Sequence, residues 1–450
     1  MSAPLVRQPL DTIYARIGLG PFQFFSLFFV GCIYISESMM NIFSYVLAQS
    51  IKDEWNLDPW QVTALSVARD VGIIITGLTV PWLGDKYGRL SVMKWGLLLK
   101  TASLMLAVVS LSFPWLLLGL FCLGLGLGFN RPAVSTYSIE ILQPRFRGAM
   151  LIGLFVFIIS GAIGGAAVAI YMVPMLDPTH WRMLLFLAVV PTIGGMLAAN
   201  ILFVEPPRYL AMIGKTDKAI KVFNFIARFN CKPTLSHEEI AQVRAVTIKD
   251  TPYDAGECRQ RIWNDKYRPR FIYLALMWFL TGYQNSTIFS SFPENLSNYL
   301  NNPLMAVEIS TLPIAVFIPL PFVEMPDIGR RWTFLGFVLI QIASTFVAAI
   351  TSNQIVFVCC LLTLLFAITF SFRILYPLTL ELFDTSIRCY TFGLCYAIAR
   401  IGGLCSRWQD TVLHDPGLAV MLSLNFIAMM AIFHYPYETC QKPLDDYEKA

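Results

Sequence analysis

Two short charged motifs occur twice in this chain at one constant separation. The matched positions are Gly88 and Gly329, Arg89 and Arg330, Glu140 and Glu381, and Arg147 and Arg388. Each pair differs by 241 (329−88, 330−89, 381−140 and 388−147). Coincidence is the alternative explanation, because Gly-Arg pairs and glutamates are common. Four positions kept in register instead predict a duplicated unit, which is how many membrane transporters are built.

The composition predicts a protein that crosses a membrane many times. Hydrophobic residues make up 56% of the chain and charged residues only 14%, against about 25% charged in soluble domains. A membrane-spanning helix needs about 20 apolar residues. Twelve candidate spans are present: 22–47, 60–83, 91–111, 114–141, 149–174, 183–204, 269–292, 305–323, 332–350, 354–383, 389–412 and 416–434. We therefore expect an all-α membrane protein.

The twelve spans divide the chain into two halves of six. The predicted units are an N-terminal segment (1–21), a first bundle (22–204), a linker (205–268), a second bundle (269–435) and a tail (436–450). The linker is rich in lysine and arginine and shows helical periodicity. We interpret it as short surface helices rather than a separate domain, because about 60 residues with few apolar groups make a poor core.

The basic residues predict the orientation. Lys86, Arg89, Arg145, Arg147, the linker, Arg330, Arg331 and Arg388 fall on one side, whereas the opposite loops hold chiefly Lys52, Arg182 and Arg407. Positively charged loops stay in the cytoplasm, so both termini and the linker are expected there. Asn295-Leu-Ser297, on the other side, would be allowed as a glycan acceptor.

Several classes of ligand are not expected. The ten cysteines are scattered without a CxxC spacing, so we expect neither a metal site nor a disulfide framework. The net charge of +4 is modest and gives no sign of nucleic-acid binding. Neither a Walker loop nor a catalytic constellation is visible, so we expect no cofactor and no enzyme activity. The expected partners are a small organic solute and the lipid bilayer.

The loop motifs resemble those of the major facilitator superfamily. Gly84-Asp85-Lys86-Tyr87-Gly88-Arg89 is similar to the signature between helices 2 and 3, and Asp327-Ile328-Gly329-Arg330-Arg331 to its repeat between helices 8 and 9. The segments 140–148 and 381–388 resemble the paired ends of helices 4 and 10 in sugar-porter-like members. Glu205-Pro-Pro-Arg208 resembles the motif after helix 6.

Two further segments narrow the resemblance. Tyr437-Glu-Thr439 resembles the Pro-Glu-Thr motif after helix 12, and Glu54-Trp55-Asn-Leu57 resembles synaptic-vesicle-protein-related transporters, which neighbour the organic-ion transporters. The resemblance implies twelve transmembrane helices in two pseudo-symmetric six-helix bundles. It also implies a monomeric secondary active transporter that moves a small organic solute by alternating access.

The second copy of the loop departs from the family pattern. Met325-Pro326 replaces the expected Gly-Asp, and Cys389 stands where the first repeat has Gly148. A transporter-like protein that serves as a structural subunit or receptor in a membrane assembly is therefore the alternative function.

The duplicated charges form a candidate gate on the cytoplasmic side. A Glu and an Arg at the ends of helices 4 and 10 can pair when the two halves close and separate when they open. The alternative is a set of static surface ion pairs. The candidate gate residues are Asp85, Arg89, Glu140, Arg147, Arg330, Glu381 and Arg388.

Two arginines lie deeper in the membrane and are candidate solute ligands. Arg131 precedes Glu140 by nine residues and Arg373 precedes Glu381 by eight, which is about 13 and 12 Å along a helix. A charge at mid-membrane costs about 2.5–3.5 kcal/mol and usually faces a cavity or a partner. Arginine suits a carboxylate, so an organic anion is the predicted solute. Neutralisation of each arginine by an internal carboxylate is the alternative.

Other polar residues within the spans complete the prediction. In one interpretation Glu37 pairs with Arg69 and leaves Asp70 to carry a proton, and both carboxylates are candidates for proton coupling. The alternative is a fully paired cluster that only holds helices together. Gln284, Asn285 and Arg400 are further candidate solute ligands, with interhelical hydrogen bonding or packing as the alternative.

Overall fold

The computed structural model describes residues 9–172, 181–246, 255–297, 329–351, 353–412 and 417–433, and these are almost entirely helical. The α-helices in this part of the chain are α1 (Pro9–Ile17), α2 (Pro21–Trp55), α3 (Pro59–Thr79), α4 (Trp82–Tyr87), α5 (Arg89–Val108), α6 (Phe113–Glu140), α7 (Arg147–Gly153), α8 (Phe155–Met172), α9 (Trp181–Ile201), α10 (Pro207–Met212), α11 (Thr216–Phe229), α12 (His237–Arg244), α13 (Ala255–Ile262), α14 (Arg268–Ser297), α15 (Gly329–Ile350), α16 (Gln354–Leu382), α17 (Arg388–Val412) and α18 (Gly417–Phe433).

Local sequence signals set several helix ends. Asp58 and Gln61 form a reciprocal capping box around Pro59, the first residue of α3, which satisfies backbone donors that the first turn leaves unpaired. Asn56, in the left-handed conformation at φ 49°, ends α2. The helix of the first predicted span therefore continues eight residues beyond the predicted end at residue 47.

Eight helices in the described part are long and apolar enough to cross a membrane. They are the helices of spans 1–6, 9 and 10 of the prediction. The helices of spans 7 and 11, α14 and α17, are equally long but carry more polar residues, such as Gln284 and Arg400. Predicted span 305–323 and the motif segments at 327–328 and 437–444 lie outside the described residues.

The long helices pack as two groups that meet along a shared interface. Helices α2–α9 pack with one another, as do α14–α18, and α17 contacts α3, α4 and α6 across the interface. Glycines permit close approach within the first group: a Cβ on Gly124 would collide with the backbone of α3, and one on Gly126 with the backbone of α5. The Gly124-Leu-Gly126 stretch is thus a packing element, since small residues let helices approach closely.

The N-terminal segment and the linker share an apolar core, which the sequence argument missed. Helix α1 packs on the linker helices, and the buried residues are Leu10, Ile13, Tyr14, Ile17, Phe22, Leu210, Ala211, Ala219, Phe223, Ile226, Ala227, Leu235 and Val243. Neither segment has enough apolar surface alone, but together they bury a continuous cluster. We call the face of the protein that carries α1 and α10–α13 the linker side.

Candidate transport site

The first repeat loop positions an arginine at the linker side. Gly88 separates α4 from α5 at φ 105°, a conformation that residues with a Cβ rarely adopt. A Cβ there would also meet the carboxylate of Glu205. The same carboxylate accepts the backbone N–H of Arg89 at 2.5 Å, and the fully buried Arg89 guanidinium lies 4.1 Å from the ring centre of Tyr209.

Glu140 joins the two halves of the protein. It accepts from Arg89 Nη2 at 3.1 Å within its own half, and Arg388 Nη1 of the other half lies 2.9 Å from its Oε1. Glu140 and Arg89 are fully buried and Arg388 nearly so. Because Glu140 keeps Arg89 but loses Arg388 if the halves separate, this cluster can act as a latch.

Asp85 makes a second connection across the interface. Its carboxylate accepts the backbone N–H groups of Cys389 and Tyr390, at 3.3 and 2.9 Å, where α17 begins. Arg89 lies 3.3 Å from the same carboxylate and donates to the Thr385 carbonyl at 2.5 Å. A negative charge at a helix N-terminus is electrostatically favourable. We call Asp85, Arg89, Glu140 and Arg388 the linker-side latch.

The second repeat does not reproduce these bridges. Arg330 pairs with Glu381 inside its own half, and the repeat partner of Asp85 lies outside the described residues. Arg147, the repeat partner of Arg388, does not bind the other half in the described structure but lies 3.1 Å from Asp11 of α1. Arg208 binds the same carboxylate. Asp11 therefore ties the N-terminal helix to the start of α7 and to α10 of the linker.

Loss of the Asp11 carboxylate is expected to destabilise the protein. Asp11→Asn would leave Arg147 and Arg208 buried beside each other without their shared anion, and breaking a buried ion pair costs about 3 kcal/mol or more. We expect a clearly lower melting temperature of the purified protein. Asp217→Asn is the matched control, because Asp217 pairs with Arg244 at an exposed site, where a pair contributes little. Equal melting temperatures for the two variants would contradict the structural role of Asp11.

The latch is expected to close more tightly at acidic pH. Burial raises the pKa of Asp85 from 3.8 to about 7, although Arg89 and two backbone N–H groups favour its charged form. If opening restores the ordinary pKa of Asp85, the closed state binds one more proton than the open state at pH values between 3.8 and about 7. Closure is then favoured as the pH falls through 7 and loses this contribution as the pH rises. Lowering the pH from 8 to 6 should shift the closed-to-open ratio roughly tenfold.

This shift is measurable as a distance. Spin labels at Trp95→Cys and Trp332→Cys, both about half-exposed and on different halves, report separation of the linker-side ends in a background without other reactive cysteines. Asp85→Asn is the control, because an uncharged side chain should remove most of the pH dependence. A pH dependence of the same size in that variant would assign it to another group.

Deeper in the interface, Arg131 is paired and surrounded by aromatic rings. Its Nη2 lies 2.5 Å from Glu37 Oε1. The guanidinium carbon lies 4.6 Å from the ring centre of Tyr34, 5.8 Å from Tyr376 and 5.7 Å from Tyr396. Tyr34 belongs to the first half and the other two tyrosines to the second. Arg131 thus lies where both halves meet, although Glu37 neutralises it here.

Asp70 forms a further bridge between the halves. Arg407 and Arg400 of α17 lie 2.8 and 3.7 Å from its carboxylate, and the neighbouring Arg69 lies 3.7 Å away. Arg407 follows Arg388 by 19 residues, about 28 Å along α17, so this bridge lies far from the linker side. Arg407 therefore lies inside a helix and not in a loop as predicted.

The predicted pairing of Glu37 with Arg69 is wrong. Glu37 binds Arg131, and Asp70 is surrounded by arginines rather than left without a partner. Sequence spacing does not fix the rotation of a helix about its axis, so the neighbours that Glu37, Arg69 and Asp70 face could not be predicted. Both carboxylates are paired with arginines, so the structure matches the alternative of a fully paired cluster that holds helices together.

The remaining candidate ligands differ in their surroundings. Arg373 is buried, with its guanidinium 5.0 Å from the ring centre of Phe155 and 5.9 Å from that of Phe370. Gln284 donates to Asn425 at 2.6 Å in a fully buried contact between α14 and α18, which is the interhelical alternative. Asn285 is half-buried.

Sequence reasoning missed several residues of the cluster around Arg131 and Asp70. Lys100 is fully buried in α5, donates to the Ile33 carbonyl at 3.3 Å and interacts electrostatically with Glu37 and Arg131. The signal in the sequence was a lone lysine within the apolar predicted span 91–111, which is expected to need a polar partner. Tyr396 accepts a hydrogen bond from Arg400 at 2.7 Å, but tyrosine is common in spans and gave no signal. We call Glu37, Arg69, Asp70, Lys100, Arg131, Arg400 and Arg407 the central cluster.

Comparison with known proteins agrees with this architecture. Relatives include the niacin transporter NiaP of Acinetobacter baylyi (24% identical; 93% of this chain and 94% of that protein covered) and organic cation/carnitine transporter 7 of Arabidopsis thaliana (23%; 98% and 96%). The synaptic vesicle 2-related protein of Bos taurus is 24% identical over 96% of this chain and 81% of its own length.

The fold is that of a solved transporter. The proton:xylose symporter XylE, a major facilitator superfamily protein, superposes with a TM-score of 0.72 at 15% identity, covering 93% of this chain and 97% of that one. The predicted twelve-helix, two-bundle architecture is confirmed, and the homologues and the fold are those of membrane transporters rather than enzymes. The model of the sugar (and other) transporter family matches residues 17–449, and the chain belongs to that family.

Proposed function

We propose that this protein is a secondary active transporter that carries a small organic anion, recognised through a carboxylate, by alternating access. The observation that carries the proposal is the charge balance of the central cluster. Among the described side chains, four basic residues (Lys100, Arg131, Arg400 and Arg407) accompany two carboxylates (Glu37 and Asp70). Four minus two leaves two positive charges, which an anionic solute would offset.

The bound anion is proposed to replace Glu37 on Arg131. A carboxylate can accept two parallel hydrogen bonds from a guanidinium group, and the rings of Tyr34, Tyr376 and Tyr396 would contact the apolar part of the solute. Glu37, released into an apolar site, would then bind a proton. Solute and proton would therefore move together. Asp70 would not carry the proton but would form the bridge to Arg400 and Arg407 on the side opposite the linker.

The two polar bridges support alternating access. Opening on the linker side would separate Glu140 from Arg388, and opening on the opposite side would separate Asp70 from Arg400 and Arg407. One helix, α17, carries all three arginines, so rocking of one half against the other would exchange one bridge for the other. We propose that the linker side is cytoplasmic and that the monomer is the functional unit.

The solutes named for the relatives are niacin, organic cations or carnitine, and xylose, so the charge class has to be tested directly. We would screen the purified protein by thermal shift against benzoate, lactate, xylose and choline, because a ligand of the native state raises its melting temperature. The proposal predicts that carboxylates stabilise and that xylose and choline do not. Stabilisation by xylose or choline alone would overturn it.

Uptake into proteoliposomes tests the coupling. Accumulation of the stabilising carboxylate should increase when the proton gradient points inward and should lose that increase in Glu37→Gln. If uptake by the wild-type protein does not depend on the proton gradient, proton coupling is rejected. No uptake of any solute, with a copurifying protein partner, would favour the structural or receptor role.

A further inference from the structure

A basic cavity lies on the linker side, outside both the latch and the central cluster. It has a volume of about 520 Å³ and lies between the α4–α5 junction, the segment after α9 and the start of α11. Four lysines line it: Lys86, Lys215, Lys218 and Lys221. Three of them are spaced three residues apart along the chain, so Lys218 and Lys221 share one face of α11.

Three of the four lysines are not neutralised within the described structure. No described carboxylate lies within 4.0 Å of the amino groups of Lys215, Lys218 or Lys221. Asp217, the acidic residue of the first turn of α11, is directed to Arg244 at 3.3 Å. Glu205, the acidic residue that lines the cavity, already accepts N–H groups of Arg89 and Leu90. The cavity therefore carries an excess of positive charge.

The surroundings place the cavity at the membrane surface. Tyr87, which lines it, is 53% exposed and makes an edge-to-face contact with the exposed Trp95 of α5, ring centres 6.1 Å apart. At the C-terminal end of α11, Phe229 contacts the exposed Phe25 of α2. Tyrosine and tryptophan gather at the level of the lipid headgroups, and α11 rests against a membrane-spanning helix. A lipid phosphate lies at the same level.

We propose that this cavity binds the phosphate-bearing headgroup of an anionic phospholipid from the linker-side leaflet. Lys218 and Lys221 supply the charge, Lys86 and Lys215 close the cavity on either side, and Tyr87 contacts the lipid near its glycerol. The floor is Glu205, which holds the backbone of Arg89 in the latch. A bound headgroup would therefore hold α11 against the loop that positions the latch.

The test measures lipid bound to the full-length protein by native mass spectrometry. The probe is phosphatidylinositol 4,5-bisphosphate, with phosphatidylcholine as the neutral lipid. Lys218→Gln/Lys221→Gln should weaken binding of the anionic lipid about 30-fold, since each basic residue near an anionic membrane surface strengthens binding roughly fivefold and two such factors multiply. Binding by the wild type should also fall with added salt.

The matched control removes the same charge from outside the cavity. Arg228→Gln/Lys232→Gln alters two exposed residues of the same linker and should change binding less than threefold. Equal binding by the cavity variant and wild type, or equal loss in both variants, would overturn the site. If soluble inositol 1,4,5-trisphosphate binds as tightly as the lipid, the proposal that the cavity recognises a membrane lipid is overturned. Unchanged melting of both variants in phosphatidylcholine alone shows that folding is intact.

Discussion

Arg131→Lys is expected to reduce uptake of the carboxylate solute on the order of 50-fold in proteoliposomes. Lysine keeps the charge but loses the planar pair of donors that binds both oxygens of a carboxylate. Hydrogen bonds to charged groups contribute about 1.5–3 kcal/mol, and each 1.4 kcal/mol corresponds to about tenfold. Arg131 also lies between tyrosines of both halves. A movement of one half alone therefore cannot restore the contacts that the lysine side chain loses.

Arg400→Lys is the matched comparison. Arg400 lies on the same interface but binds Asp70 and the Tyr396 hydroxyl, and its side chain is partly exposed. Its replacement should reduce uptake less, because Arg407 still holds Asp70 at 2.8 Å. The measurement is the initial rate of uptake at several solute concentrations. Similar rates for Arg131→Lys, Arg400→Lys and wild type would remove Arg131 from the solute site.

The spans and the repeat were predictable because both depend on composition and spacing. Twenty apolar residues in a row can only be accommodated in a membrane or a very large core, and the 241-residue register requires no knowledge of packing. The pairing of charges was not predictable. Whether Glu37 meets Arg69 or Arg131 depends on the rotation of three helices about their axes, and hydrophobic periodicity is weak in helices that are apolar all round.

Helix α1 carries a clear sequence signal for a buried face. Leu10, Ile13, Tyr14 and Ile17 follow the spacing of one helical face, and all four are buried against the linker. The partner surface is almost 200 residues away in the chain, so the role of Asp11 in binding Arg147 and Arg208 could not be inferred. The latch residues were proposed from the repeat, yet of the two equivalent bridges only Glu140–Arg388 is present in the described structure, while Glu381 binds Arg330 and Arg147 binds Asp11.

Glu140→Gln is expected to open the linker side. Glutamine leaves Arg89 and Arg388 buried without their shared anion, and the loss of about 3 kcal/mol falls on the closed state, because Arg388 belongs to the other half. Cys389, which is fully buried beside the latch, is a built-in reporter. Its alkylation by a maleimide at constant pH should become on the order of 100-fold faster than in wild type.

Two controls separate opening from unfolding. Glu381→Gln breaks the equivalent pair with Arg330, which lies within one half, so it should lower stability without exposing Cys389. Cys395, two turns further along α17 and also fully buried, should remain unreactive in Glu140→Gln if only the linker-side end opens. Equal Cys389 reactivity in the two glutamine variants, or reactive Cys395, would show that Glu140 stabilises the fold in general. Selective exposure of Cys389 would instead mean that one carboxylate, matched by sequence to a partner 241 residues away, holds the halves together on this side alone.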